Sequence, residues 1–199
     1  MVMEAPSDTA DELARQPRSD SVRNRTKILE AADEVFGSEG LSCPVDAIAE
    51  RAGLGVGTIY RHFPTKEALF EAIVLRHFQR LVDTAHAAAD SDDACAALFS
   101  FLTELVKEAA DKRDLSDALA DAGIEVWATA GELKQELKDA IELLLVRAQQ
   151  DRSIRPDISI TDLMGLVAGT CMTADRFGGD AGAPVRMLAV VCDGLRRSD

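Results

Sequence analysis

Apolar residues recur at i, i+3 and i+4 almost from one end of this chain to the other, and period-two alternation of β-branched or aromatic residues is hard to find. Such a pattern buries one stripe of each helix and leaves no half-buried strand, so it predicts an all-α fold. With 199 residues the chain is long enough to bury a substantial core, in one domain or two small ones, without covalent staples. Its 47% apolar and 29% charged residues exclude wholesale disorder, and no apolar run approaches the length of a membrane span.

Turn-forming residues divide the pattern. A first helix is expected from Ser19 or Asp20 to about Ser38, facing inward through Ile28, Ala31, Ala32, Val35 and Phe36, with Gly40 as its stop. Pro44 suits the first helical position of a second helix carrying Val45, Ile48, Ala49 and Ala52, which Gly53 ends. A short third helix, about Val56 to His62, turns Ile59 and Phe63 to one side before Pro64 blocks it. Thr65 can cap a long fourth helix whose stripe runs Leu69, Phe70, Ile73, Val74, Phe78, Leu81, Val82 and Ala85. Further helices are expected at about 93–111, 115–128, 131–151, 159–177 and 183–197, separated by turns at Lys112-Arg113-Asp114, Ala130-Gly131, Arg155-Pro156-Asp157 and Gly178-Gly179-Asp180. The boundaries read as a disordered acidic tail over 1–18, a three-helix unit over 19–65, and a helical body over 66–199.

Charge follows the same division. The net charge is −13, yet residues 15–66 hold eight Lys+Arg against seven Asp+Glu, so the acidity belongs to the rest of the chain. The four cysteines, Cys43, Cys95, Cys171 and Cys192, form no C-x-x-C pair and fit neither a disulfide framework nor a zinc site. His77 and His86, nine apart on one helix, fall on different faces and make no metal pair. No spacing suggests a nucleophile with its base or a carboxylate pair, so the chain reads as a non-enzyme with no cofactor and no metal. Without an apolar leader or a span, the expected location is the cytoplasm.

The stretch VDAIAERAGLGVGTIYRHF, Val45 to Phe63, carries the chemistry. Two helices joined by a tight turn need a small residue at the close approach, a glycine able to take positive φ, and an apolar lock on the second helix. Ala49, Gly53 and Ile59 fill those roles, with Ile48, Ala52 and Leu54 between them. The opposite side of the second helix then presents Val56, Gly57, Thr58, Tyr60, Arg61 and His62, groups suited to phosphates and base edges. Lys66 lies in the first turn of the fourth helix, where the macrodipole disfavours a cation unless an anion docks there. The plain alternative for Lys66 is a solvated surface lysine, while the basic run Arg15, Arg18, Arg23, Arg25 and Lys27, which leads into this unit, reads equally as a solvated tail or as nucleic-acid backbone or minor-groove contacts. Gly53-x-Gly55-x-Gly57 follows a helix and lacks the spacing of a nucleotide loop.

Taken in order, ILEAADEVFGSEG, VDAIAERAG and GVGTIYRHFPTKEAL resemble the DNA-binding domain of the TetR family of transcriptional regulators, over about residues 23–69. The resemblance implies DNA-backbone contacts from Thr58, Tyr60, His62 and Lys66, and places Val56, Gly57 and Arg61 near base edges. It also implies that the helical body serves effector binding and dimerisation, and that the typical output is repression. One departure is that Cys43 and Pro44 stand where many members carry hydroxyl residues, leaving Ser42 as the nearby hydroxyl.

Two expectations concern the body. Leu163 to Ala174 is apolar or small nearly all round, and Val185, Leu188, Ala189, Val191, Cys192 and Leu195 form a wide stripe, so the last two helices are expected to build a homodimer, with Leu166 and Leu188 at its interface. A small apolar effector is expected among His77, Phe78, Leu81, Phe99, Leu102, Thr103, Trp127, Met164 and Met172, with the segment from Asp117 to Gly131 as wall or gate. The resulting reading is a repressor that binds double-stranded operator DNA as a homodimer and is released by its effector. The alternative is a helical ligand-binding or interaction module with a vestigial helix-turn-helix.

Overall fold

The computed structural model describes residues 9–40, 42–111, 130–173, 180 and 182–197, with backbone alone for 9–19, 111 and 173. Within them lie helices α1 (Thr9–Glu39), α2 (Val45–Ala52), α3 (Val56–His62), α4 (Lys66–Ala89), α5 (Ala94–Asp111), α6 (Gly131–Gln150), α7 (Ile160–Thr173) and α8 (Ala183–Leu195). The all-α expectation holds: among the described residues the only extended pairing is a single bridge, Ile154 with Arg196. The helix expected at 115–128 lies outside them, as does Trp127.

Helix α1 begins at Thr9, well upstream of Ser19, so residues 9–18 are helical where a tail was expected. Ala10, Glu12, Leu13, Ala14, Arg15 and Gln16 are strong helix formers, whereas periodicity registers only a stripe that gets buried. That stripe starts at Ile28.

The chain divides into two compact units, residues 1–73 and 74–199, with the boundary inside α4. In the first, Ile28, Ala32, Ile48, Ile59, Leu69 and Ile73 are almost completely buried. Fully burying side chains of the isoleucine and leucine class contributes about 1.5–3 kcal/mol each. The Phe36 and Phe70 rings meet at 4.6 Å between centroids, tilted 43°, which ties the first turns of α4 into this core. Leu69, Phe70 and Ile73 therefore pack in the N-terminal unit, as expected for Leu69, and the boundary between the units falls after Ile73 rather than before Lys66.

Local chemistry sets the helix ends. Gly53 adopts φ 65°, ψ 35°, with Gly53 N–H donating to the Glu50 carbonyl at 3.1 Å and Leu54 N–H to the Ala49 carbonyl at 3.0 Å. This six-to-one and five-to-two pattern is a Schellman stop. Pro44 is the residue before α2 rather than its first helical one. Thr65 caps α4 as expected, its Oγ1 accepting from Ala68 N–H at 3.1 Å.

In the second unit α5 packs against α6, α7 and α8 around Leu98, Leu102, Val106, Ile141, Leu144, Leu145, Leu163 and Leu188. Ser159 and Asp162 cap α7 reciprocally: Asp162 N–H reaches Ser159 Oγ at 3.2 Å, and Ser159 N–H reaches Asp162 Oδ2 at 3.0 Å. Arg155 N–H donates to the Leu195 carbonyl at 3.0 Å and Arg197 N–H to the Ser153 carbonyl at 3.1 Å, fastening the end of α8 to the turn after α6.

Candidate nucleic-acid interface

The helix-turn-helix is built as its residue types require. Ala49 and Ile59 are buried at the crossing, and Gly53 takes the left-handed backbone that an L side chain adopts only with strain. With Ile59 turned inward, the opposite side of α3 faces solvent. Gly57 is exposed, and a Cβ placed on it would meet nothing within 4 Å. Arg61 is exposed, Val56, Thr58 and His62 are half-buried, and Tyr60 keeps 47% of its surface. Phe63, expected in the core, is there. The structure thus gathers Gly57, Thr58, Tyr60 and Arg61 on one short helix, with the smallest residue near its start.

Lys66 is half-buried. Its Nζ donates to the Cys43 carbonyl at 2.8 Å and lies 5.5 Å from the Phe70 ring centroid. The cost of a cation in the first turn of α4 is therefore offset within the chain itself, by a carbonyl acceptor and a ring face. Burial pushes the neighbouring Cys43 thiol up, against the pull of the Lys66 charge.

Arg25 is a residue the sequence reading left inside a general basic run. Its guanidinium carbon sits over the Phe63 ring, 5.0 Å from the centroid, joining α1 to the residue that follows α3. Thirty-eight positions separate the two, so no local pattern could single Arg25 out.

The residues expected around an effector do not share one environment. Leu81 and Leu102 are buried in the second core, Phe78 and Met164 pack partly against it, and Met172 is 71% exposed. His77 is buried and its Nδ1 lies 2.9 Å from Glu108 Oε1, which Arg80 also contacts. Burial pushes the Glu108 carboxyl up, but the His77 hydrogen bond and the Arg80 charge more than reverse this and hold it below the usual carboxylate range. Phe99 and Thr103, with Ser100, Glu104 and Lys107, line an open groove of about 520 Å³ along α5. Among the described residues no group of three or more His, Cys, Asp or Glu is arranged to hold a metal.

Leu188, expected at a dimer interface, is only 1% exposed and belongs to the subunit core. Its helix presents Met187 and Val190 outward instead, and α7 presents Leu166 and Met172. The wide stripe read on α8 covers two surfaces, and its width alone does not say which residue faces which.

Residues 28–73 match the family model of bacterial regulatory proteins, tetR family, and residues 93–197 match that of the SbtR-like transcriptional regulator C-terminal domain. The second match alone spans more than half of the chain.

The chain belongs to the TetR family.

The UidR transcriptional regulator of Escherichia coli K12 is 31% identical over 139 residues, 68% of this chain and 71% of that protein. A TetR regulator from Mycobacterium vanbaalenii superposes with a TM-score of 0.74 at 34% identity, over 90% of this chain and 99% of that one. SCO0520 from Streptomyces coelicolor gives 0.71 at 36% identity, over 88% and 99%. This TetR-family protein is accordingly a transcriptional regulator with an N-terminal helix-turn-helix DNA-binding domain in its first unit and the SbtR-like domain in its second. None of its described helices is long and apolar enough to cross a membrane.

Proposed function

We propose that this protein is a cytoplasmic, homodimeric repressor that binds a specific operator duplex through α3 and leaves it when a small apolar effector binds the second unit. The observation that carries the DNA half of this reading is the division of α3, with Ile59 buried, Gly57, Tyr60 and Arg61 exposed and Thr58 half-buried between them. Gly57 admits close approach to a groove, while Thr58, Tyr60, His62 and Lys66 supply backbone donors. Arg61 is the base-reading candidate, worth about 1–3 kcal/mol of discrimination if it grips a guanine bidentately.

The dimer is supported by α7 and α8. Gly165, Ala168 and Met172 recur along one exposed side of α7, with Leu166 beside them, and Met187, Val190 and Gly194 along one side of α8. Small residues permit close helix approach, and two copies of this pair make a four-helix interface.

Effector release needs only a modest coupling. A tenfold loss of operator affinity requires the effector to prefer the DNA-incompetent state by about 1.4 kcal/mol. Helix α4 runs unbroken from Lys66 to Ala89, through the boundary between the units, and is the element we assign to carry it. The groove beside Phe99 and Thr103 is the candidate entry.

The test is selection of bound fragments from random duplex DNA, followed by a screen for compounds that release the best one. A specific site and a releasing compound are expected. Failure to shift any duplex at low salt would leave a helical ligand-binding module with a vestigial helix-turn-helix.

A further inference from the structure

We infer that Arg25 on α1 is a phosphate-gripping residue of the DNA-binding surface, positioned by stacking on Phe63 at the end of α3. The inference rests on the reading that α3 engages duplex DNA and adds a residue from a different helix to that surface. Phe63 joins Arg25 to α3. Its N–H bonds to the Ile59 carbonyl at 2.8 Å and its side chain is buried, so the ring moves only as α3 moves. Arg25 is exposed, three residues before Ile28, where the buried stripe of α1 begins. A guanidinium at 5.0 Å from that ring is thereby registered to α3, and not only to its own helix.

The chemistry suits an anion. A guanidinium carries five N–H donors, and with its carbon over a ring and no carboxylate on it among the described residues, those of Arg25 are available to oxygen acceptors. Several arginines of this acidic chain are spent on carboxylates, Arg51 on Glu34, Arg80 on Glu108, Arg155 on Asp157 and Arg186 on Asp180, and Arg196, which also lies over a ring, has Asp193 at 3.9 Å. Arg25 forms no ion pair among the described residues and rests on an aromatic ring. Stacking also restricts a long side chain before any ligand arrives, so less freedom is lost when a phosphate is bound. The His62 ring lies 6.4 Å from that of Phe63, which puts a second candidate backbone contact beside the same anchor.

The experiment measures binding to a selected operator and to a random-sequence duplex across salt concentrations, for the wild type, Arg25→Ala, Arg25→Lys and the Arg25→Ala/Phe63→Leu pair with its single variants. Arg25→Ala should weaken both duplexes about equally, roughly five- to tenfold at moderate salt, and flatten the salt dependence by about 0.9 per protomer. Arg25→Lys should keep the salt slope but not the full affinity, because a point charge lacks the planar fork. Removing Arg25 should cost less when Phe63 is already leucine. If Arg25→Ala leaves affinity and slope unchanged, even with a lower melting temperature, Arg25 is merely a cover for Phe63 and the inference is overturned. A wild type that binds no duplex takes down the DNA-binding reading as well, and that outcome is recognised without any variant.

Discussion

The Lys66 ammonium and the Cys43 carbonyl meet at 2.8 Å across 23 residues of sequence, so the first turn of α4 holds the loop that leads into α2. The same cation is a candidate phosphate contact. Lys66→Ala is expected to lower the unfolding free energy by about 1 kcal/mol, the net worth of a hydrogen bond of this kind. It should also weaken specific and non-specific duplexes alike and reduce the salt slope by about one per protomer. Thermal unfolding together with salt titration of binding checks both. A stability loss with an unchanged slope would assign Lys66 to the loop alone.

Gly53 and Gly57 separate conformation from access. Gly53 holds φ +65° with open space where a Cβ would stand, so Gly53→Ala should cost about 1–2 kcal/mol from backbone strain alone, and Gly53→Asn less. Gly57 lies in α3 with equal space around it and no positive φ. Gly57→Ala should hold or raise the melting temperature by its helix preference while weakening operator binding, because the added methyl stands where the groove must come close. Equal operator affinity for Gly57→Ala would remove this glycine from the interface.

The dimer prediction now rests on Val190 and Leu166 in place of Leu188. Val190 is 72% exposed, and Asp at Val190 or Leu166 should give folded monomers by sedimentation at micromolar concentration. Asp at Leu188 buries an unpaired charge in the subunit core and should unfold the second unit. Dimers that survive both surface substitutions would place the interface elsewhere.

Glu108 predicts a pH dependence. Its carboxyl is held below the usual range by His77 and Arg80, so its contribution to stability is present above the unfolded-state value and is lost as pH falls through the folded one. The unfolding free-energy difference between wild type and Glu108→Gln should therefore be largest near neutrality and shrink progressively below about pH 4.5. Denaturant titrations at pH 7, 5 and 3.5 measure it, and a constant difference would deny Glu108 its role in the cluster.

Much of the architecture was written in local pattern. The turn at Gly53, the cap at Thr65, the inward Ile59 and Phe63 and the outward Tyr60 follow from φ preferences, capping chemistry and a 3.6-residue period, all of which act within a few residues. The helical start at Thr9 escaped because residues 9–18 carry no apolar stripe of helical period in the sequence. Pairings across long separations needed the fold: Arg25 over Phe63, Lys66 on Cys43 and Glu108 with His77 depend on how helices cross. So did the division of α8 into a buried Leu188 and an exposed Val190, since a wide apolar stripe specifies that two surfaces are covered and only packing decides which residue each surface receives.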